Sequence, residues 1–157
     1  MKRPTFNEPR DLWQQDGSLR DVHLFGTSES DWRAFFEIAT RYPHQYSFNG
    51  VARPLSGLLT IFANREGSHL LGVTIGNALV NCHFFVSTEI ELDIDPRSVV
   101  DEATHQGVLQ FLELLSLSTG KALRLTAENS EEALYLGYDP ASAVWAVHEP
   151  QFPPNDA

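Results

Sequence analysis

Residues 87 to 95 read STEIELDID, in which Glu89, Glu91, Asp93 and Asp95 alternate without a break with Ile90, Leu92 and Ile94. Side chains on a β-strand point to opposite faces in turn. The three aliphatics therefore face a core, and the four carboxylates line up on the other side at a spacing of ~7 Å. Such a row is a metal site, a docking surface for a basic partner, or a solvated sheet face. Like charges this close repel, so a counter-charge is expected from a neighbouring Arg or Lys, a cation or a partner.

The surroundings of that strand give a fold class. Leu19 to Phe25 reads as a strand, after a short run from Asp11 that turns at Asp16-Gly17 in the manner of a hairpin. Ser28 followed by Asp31 marks a capping box. Trp32, Phe35, Phe36 and Ala39 then share one side of a helix over about 29 to 41, while Glu29, Arg33, Glu37 and Arg41 take the other. The middle third reads as a meander: a hairpin at Asn49-Gly50, the run LLTIFA between Gly57 and Asn64, the run from Ser68 to Ile75, and a long run from Ala78 to Asp95 after Gly76-Asn77. Asp95-Pro96 stops the acidic strand and starts a second, more buried helix, with Asp101 and Glu102 in its first turn and Gly120 at its end. Three short strands follow, at 122 to 127, 133 to 138 and 143 to 148. No helix separates the middle strands, so parallel crossovers are excluded. The expectation is α+β: an antiparallel β-sheet meander with two main helices packed on it.

Length and composition agree with a single domain over 1–157, with proline-bearing loose ends at about 1–9 and 150–157. A chain of 157 residues buries roughly two thirds of its unfolded surface without disulfides or metals. The formal charge of −10 disfavours nucleic acid and anionic membrane surfaces and favours a cationic partner. Cys82 is the single cysteine, so neither an internal disulfide nor a cysteine-based zinc site can form. The opening MKRPTFNEPRD lacks the apolar stretch of a secretory signal, and no segment is long and apolar enough for a membrane helix. These features point to a cytoplasmic protein.

Enzyme motifs are absent where sequence can show them. Thr119-Gly120-Lys121 lacks the glycine and hydroxyl residue of a phosphate loop, since Leu115 and Ala122 stand there. His23, His44, His69, His83, His105 and His148 show no helical ligand spacing, and there is no Gly-x-Ser-x-Gly elbow. Asp93-Ile94-Asp95 matches the Asp-x-Asp pairs that hold Mg²⁺ or Mn²⁺ beside sugar nucleotides, but the chain lacks the alternating helices of a nucleotide-binding domain.

The stretch DGSLRDVHLFGTSESDWRAFFEIA, residues 16 to 39, resembles the opening of small bacterial immunity proteins, the partners of secreted polymorphic toxins. The shared elements are Gly17 to Asp21 and Thr27 to Trp32, with one residue more between Thr27 and Asp31 than in the family's form. The run from Gly120 to Asn129 and Tyr138-Asp139-Pro140 resemble the same group. The resemblance implies stoichiometric inhibition of a cognate toxin domain, with no catalytic residue and no cofactor. Glu89, Glu91, Asp93 and Asp95 are then the residues expected to meet a basic toxin surface, with Asp101 and Glu102 next and Glu128, Glu131 and Glu132 in a later loop. Two other readings stay open: a small metal-assisted hydrolase or transferase using the acidic strand 89–95, and a non-catalytic structural or scaffold subunit. Self-association is compatible with all three.

Overall fold

The computed structural model describes residues 2 to 152. Nine antiparallel strands form one sheet: β1 (Arg20–Phe25), β2 (His44–Phe48), β3 (Val51–Arg53), β4 (His69–Ile75), β5 (Ala78–Cys82), β6 (Glu89–Ile94), β7 (Leu123–Ala127), β8 (Ser130–Asp139) and β9 (Val144–Val147). The order across the sheet is β3-β2-β4-β5-β6-β1-β7-β8-β9. The first strand thus lies between two meanders, pairing with β6 on one edge and β7 on the other. Along β1 and its neighbours, Val22, Leu24, Ile90, Leu92, Ile94, Leu123 and Leu125 turn to the same side and are buried. Helices α1 (Glu29–Ala39) and α3 (Glu102–Thr119) pack against each other and close that side. They contribute Trp32, Phe35 and Ile38 from α1 and Val108, Leu109, Phe111, Leu112 and Leu115 from α3 to one contiguous core. The α+β architecture with two main helices is as the sequence predicts.

The capping signals act as read. Ser28 Oγ accepts the Asp31 N–H while the Asp31 carboxylate accepts the Ser28 N–H. Gly120 ends α3 in the left-handed region at φ +69°, where a side chain would be strained. Asn49-Gly50 turns β2 into β3.

Four local expectations are corrected. LLTIFA is not a strand but a short helix, α2 (Leu58–Ala63). Leu58, Ile61 and Phe62 have helical spacing, and short apolar runs satisfy both periods; burial of Leu58 and Ile61, with Phe62 edge-on to Trp32 at 5.1 Å, decides for the helix. The second helix does not run on from Pro96. Residues Pro96–Ser98 make one 3-10 turn, Val99 is extended and buried, and a second cap at Asp101 starts α3. The β-branched pair Val99-Val100 favours that break. The run before Asp16-Gly17 forms turns instead of a hairpin strand. Residues 2 to 9 are not loose: Pro4 and Pro9 are buried, Arg3 Nε–H reaches Glu113 Oε1 at 2.8 Å, and His105 bonds the Pro4 carbonyl. At the other end Phe152 is exposed, and Met1 and residues 153 to 157 of the expected loose termini lie outside the described residues.

Two buried polar groups hold this N-terminal strap. Arg20, fully buried at the start of β1, donates to the carbonyls of Leu12, Asp11, Gln14 and Leu19 and to Ser18 Oγ, with the Tyr135 ring 5.3 Å away. The loop before β1 is wrapped around one guanidinium. Trp13 Nε1–H donates to His105 Nδ1 at 2.9 Å, so that nitrogen must carry a lone pair and Nε2–H is the donor to Pro4 O. Burial keeps the His105 pKa below its ordinary value.

Arg20→Met should destabilise the fold by about 3 kcal/mol or more in urea denaturation, because several carbonyls lose their donor and each buried unsatisfied group costs about 1–3 kcal/mol. A histidine whose folded pKa is lowered gives stability above its unfolded pKa that is lost as pH falls. His105→Gln keeps an acceptor and a donor but cannot titrate. Melting at about pH 7.5 and 5.5, on either side of the unfolded histidine pKa, should therefore show a smaller loss of Tm on acidification in the variant than in the wild type.

Candidate functional site

The side of the sheet opposite the helices carries the other half of the alternation. On β6 it holds Glu89, Glu91 and Asp93; on β1 Asp21, His23 and Phe25; on β5 Leu79 and Asn81, with His83 just beyond; on β7 Arg124 and Thr126. Cross-strand register makes Asp93 the neighbour of both Asp21 and Asn81, and places Glu91 beside His23, which in turn lies beside Arg124. The loop before β6 is pinned to α1: Trp32 Nε1–H and Thr27 Oγ1–H both donate to Ser87 O, at 2.7 and 2.9 Å. That anchor fixes where Glu89 enters the strand and so which residues face outward.

Two members of the acidic row are hydrogen-bonded by histidines. His83 Nε2 bonds Asp93 Oδ2 at 2.5 Å, and Asn81 Nδ2–H donates to the other oxygen at 3.2 Å. His23 Nδ1 bonds Glu89 Oε1 at 2.9 Å. Each imidazole stacks on an exposed phenyl ring of its own strand direction: His23 on Phe25 at 5.4 Å, and His83 on Phe85 at 5.2 Å. The β7–β8 turn closes over one end, where Asn129, at φ +56°, donates its N–H to Asp21 Oδ2 at 2.9 Å. Beneath that turn is an open recess of about 410 Å³ bounded by Asp21, His23, Glu89, Glu91 and Glu131. A second, of about 490 Å³, lies beyond Asp93 against Leu79, His83 and Arg97.

The six expected residues separate into two groups. Glu89, Glu91 and Asp93 share the uncovered face as expected. Asp95 lies just past the strand, where it caps the 3-10 turn and pairs with Arg97 at 2.7 Å; that hydrogen bond lowers its pKa. Asp101 caps α3 by accepting the Thr104 N–H, which lowers its pKa, and Glu102 accepts the N–H of Phe6 and a hydrogen bond from Gln106. Those last two are engaged in starting a helix and holding the strap.

Asp21, His23 and His83 were not singled out by sequence. The signal lay in RDVHLF, where Asp21 and His23 alternate with the apolar Val22 and Leu24, and in the similar alternation of Asn81 and His83 around Cys82. Cys82 itself points into the core, and burial pushes its thiol up to about 12, so it is no nucleophile.

Asp21 and Glu91 stand apart in their electrostatics. Burial raises the pKa of both; Asp93 and Glu128 add to this at Asp21, as do Asp21 and Glu89 at Glu91. His83 is raised by its bond to Asp93. The stability carried by that bond is full below the unfolded histidine pKa of about 6.5 and is lost as pH rises past the folded one. Glu91 has no hydrogen bond within the described residues.

A carboxyl with a raised folded pKa costs stability once ionised, so the cost grows as pH rises from the unfolded value. Asp21→Asn keeps an acceptor for the Asn129 N–H and removes the charge. Calorimetry should find it melting above the wild type near pH 7, with the gap closing below about pH 4.

Compared with protein families, curated proteins and solved structures, the chain finds no match.

Proposed function

We propose that this chain is a stoichiometric binding protein that lays its uncovered, acidic sheet face over a basic surface of a partner, and that the partner is a toxin domain it neutralises. The observation that carries the reading is the concentration of Asp21, Glu89, Glu91 and Asp93 on one face whose only guanidinium, among the described residues of those rows, is Arg124. The toxin assignment rests on the resemblance of residues 16 to 39 and 120 to 140 to immunity proteins.

The face suits such a task. Nine strands at about 4.8 Å span roughly 40 Å, wide enough for the about 800 Å² that each partner contributes to a stable complex. Phe25 and Phe85 are exposed beside the carboxylates, and aromatic side chains serve as anchors at interface centres. A guanidinium can stack on such a ring while pairing with an acid. Concentrated negative charge also speeds encounter with a cationic surface and disfavours acidic ones. In this reading Glu91 is the residue of choice for an intermolecular ion pair, since the fold makes no demand on its carboxylate.

The test pairs the chain with the protein encoded by the neighbouring gene, which this reading expects to carry a toxin domain. Co-expression should rescue growth and the purified proteins should form a one-to-one complex. Glu91→Lys should weaken it by about 30- to several-thousand-fold, the equivalent of 2–5 kcal/mol for a truncated charge pair, and affinity should fall with added salt. A complex with unchanged affinity in Glu91→Lys removes the acidic face from the interface, and no rescue removes the toxin reading.

A further inference from the structure

The recess under the β7–β8 turn has a donor set that docking does not explain. Ligand-capable atoms of Asp21, His23 and Glu91 all lie within 4.8 Å of one another. Zinc bonds of about 2.0–2.1 Å in a tetrahedral site set donors roughly 3.4 Å apart, so a closure of at most about 1.4 Å completes the arrangement. Asp21 and His23 are both more than nine-tenths buried.

A second observation concerns what these side chains do not bond. Asp21 gives Oδ2 to the Asn129 N–H, and Oδ1 accepts nothing among the described residues. His23 gives Nδ1 to Glu89, and Nε2 has no hydrogen-bond partner among them either. Neither atom is sealed in the core, so both stay accessible to an incoming ligand. The Glu89 contact is also the arrangement by which a carboxylate holds the Nδ1–H of a metal-binding histidine and keeps the Nε2 lone pair free. Asp93, the cross-strand neighbour of Asp21, is already served by His83 and Asn81. Two carboxylates and one imidazole therefore converge at the recess.

The geometry points to a divalent transition-metal site formed by Asp21, His23 and Glu91, with Glu89 positioning the histidine and Glu131 on the rim of the same recess. The imidazole selects Zn²⁺-like ions over Mg²⁺ and Ca²⁺, which prefer all-oxygen shells. Three protein donors and an open recess leave at least one coordination position for water or a partner's side chain. The site does not depend on the toxin reading, because it is complete within one chain.

Zn²⁺ titrated calorimetrically into tag-free full chain should saturate at one equivalent, and the absorption spectrum of bound Co²⁺ should report nitrogen and oxygen donors. His23→Gln and Asp21→Asn should each lower Zn²⁺ affinity by at least 100-fold, and Glu89→Gln by about 10–100-fold, the usual effect of losing a ligand's orienting partner. His44→Gln and His148→Gln, at exposed histidines on other strands or beyond them, should leave it unchanged. Circular dichroism checks folding, and Asp21→Asn should fold at least as stably as the wild type, so its loss of binding is not a loss of structure. Absence of Zn²⁺ binding by the wild-type chain, or binding that survives in both His23→Gln and Asp21→Asn, overturns the site.

Discussion

Strand β1 is paired along both edges, to β6 on one side and β7 on the other, and the rest of the molecule is arranged around that fact. Its even-numbered residues Arg20, Val22 and Leu24 join the buried side, and its odd-numbered residues Asp21 and His23 form the middle of the uncovered side. A slip of one residue in either pairing would exchange these sets. The same register that seals the core therefore also brings Asp21 against Asp93 and His23 against Glu91. The site is not an addition to the fold; it is the reverse side of a strand paired on both edges.

The acidic composition resolves into two populations with different physical roles. Asp16, Asp95 and Asp101 have lowered pKa values because each accepts hydrogen bonds from its own turn or helix start. Their negative charge is part of local structure. Asp21 and Glu91 are raised, because the sheet buries them near other carboxylates with few donors. Net charge alone treats all of these as equivalent. Environment distinguishes a carboxylate that stabilises a turn from one whose ionised form is held at a cost, and the latter is where functional sites are sought.

Much of this was legible in the sequence, and the failures have identifiable causes. Period-two alternation placed Ile90, Leu92 and Ile94 inside and Glu89, Glu91 and Asp93 outside, and side-chain chemistry at Ser28, Asp31, Asn49-Gly50 and Gly120 located element ends, because those signals are local. LLTIFA was misread because six residues fit either period and only the packing of Ile61 and Phe62 distinguishes them. The break at Val99 was missed because Asp95 and Pro96 are themselves a genuine start signal, for a turn that stops after three residues. The strap escaped notice because it is held by Arg20, Trp13 and His105, whose partners are backbone carbonyls and a side chain distant in sequence. The histidines of the site share that origin. Nothing near His23 in the chain announces Glu89, and only the long-range pairing of β1 with β6 joins them.

The position of β1 also sets an order of events during folding. The partners of Arg20 are Ile94 and Ala127, so the first strand made is among the last to be completed on both edges. The hairpins β2–β3 and β4–β5 join neighbours in sequence and can form early, whereas β1 must wait for two distant segments whose loop-closure entropy has to be overcome. A chain still being synthesised therefore holds RDVHLF unpaired until β6 has emerged, and with its other edge open until α3 and β7 have followed. Such a strand is a template for wrong pairing, and the polar residues at its alternate positions, Asp21 and His23, are in the right place to discourage it.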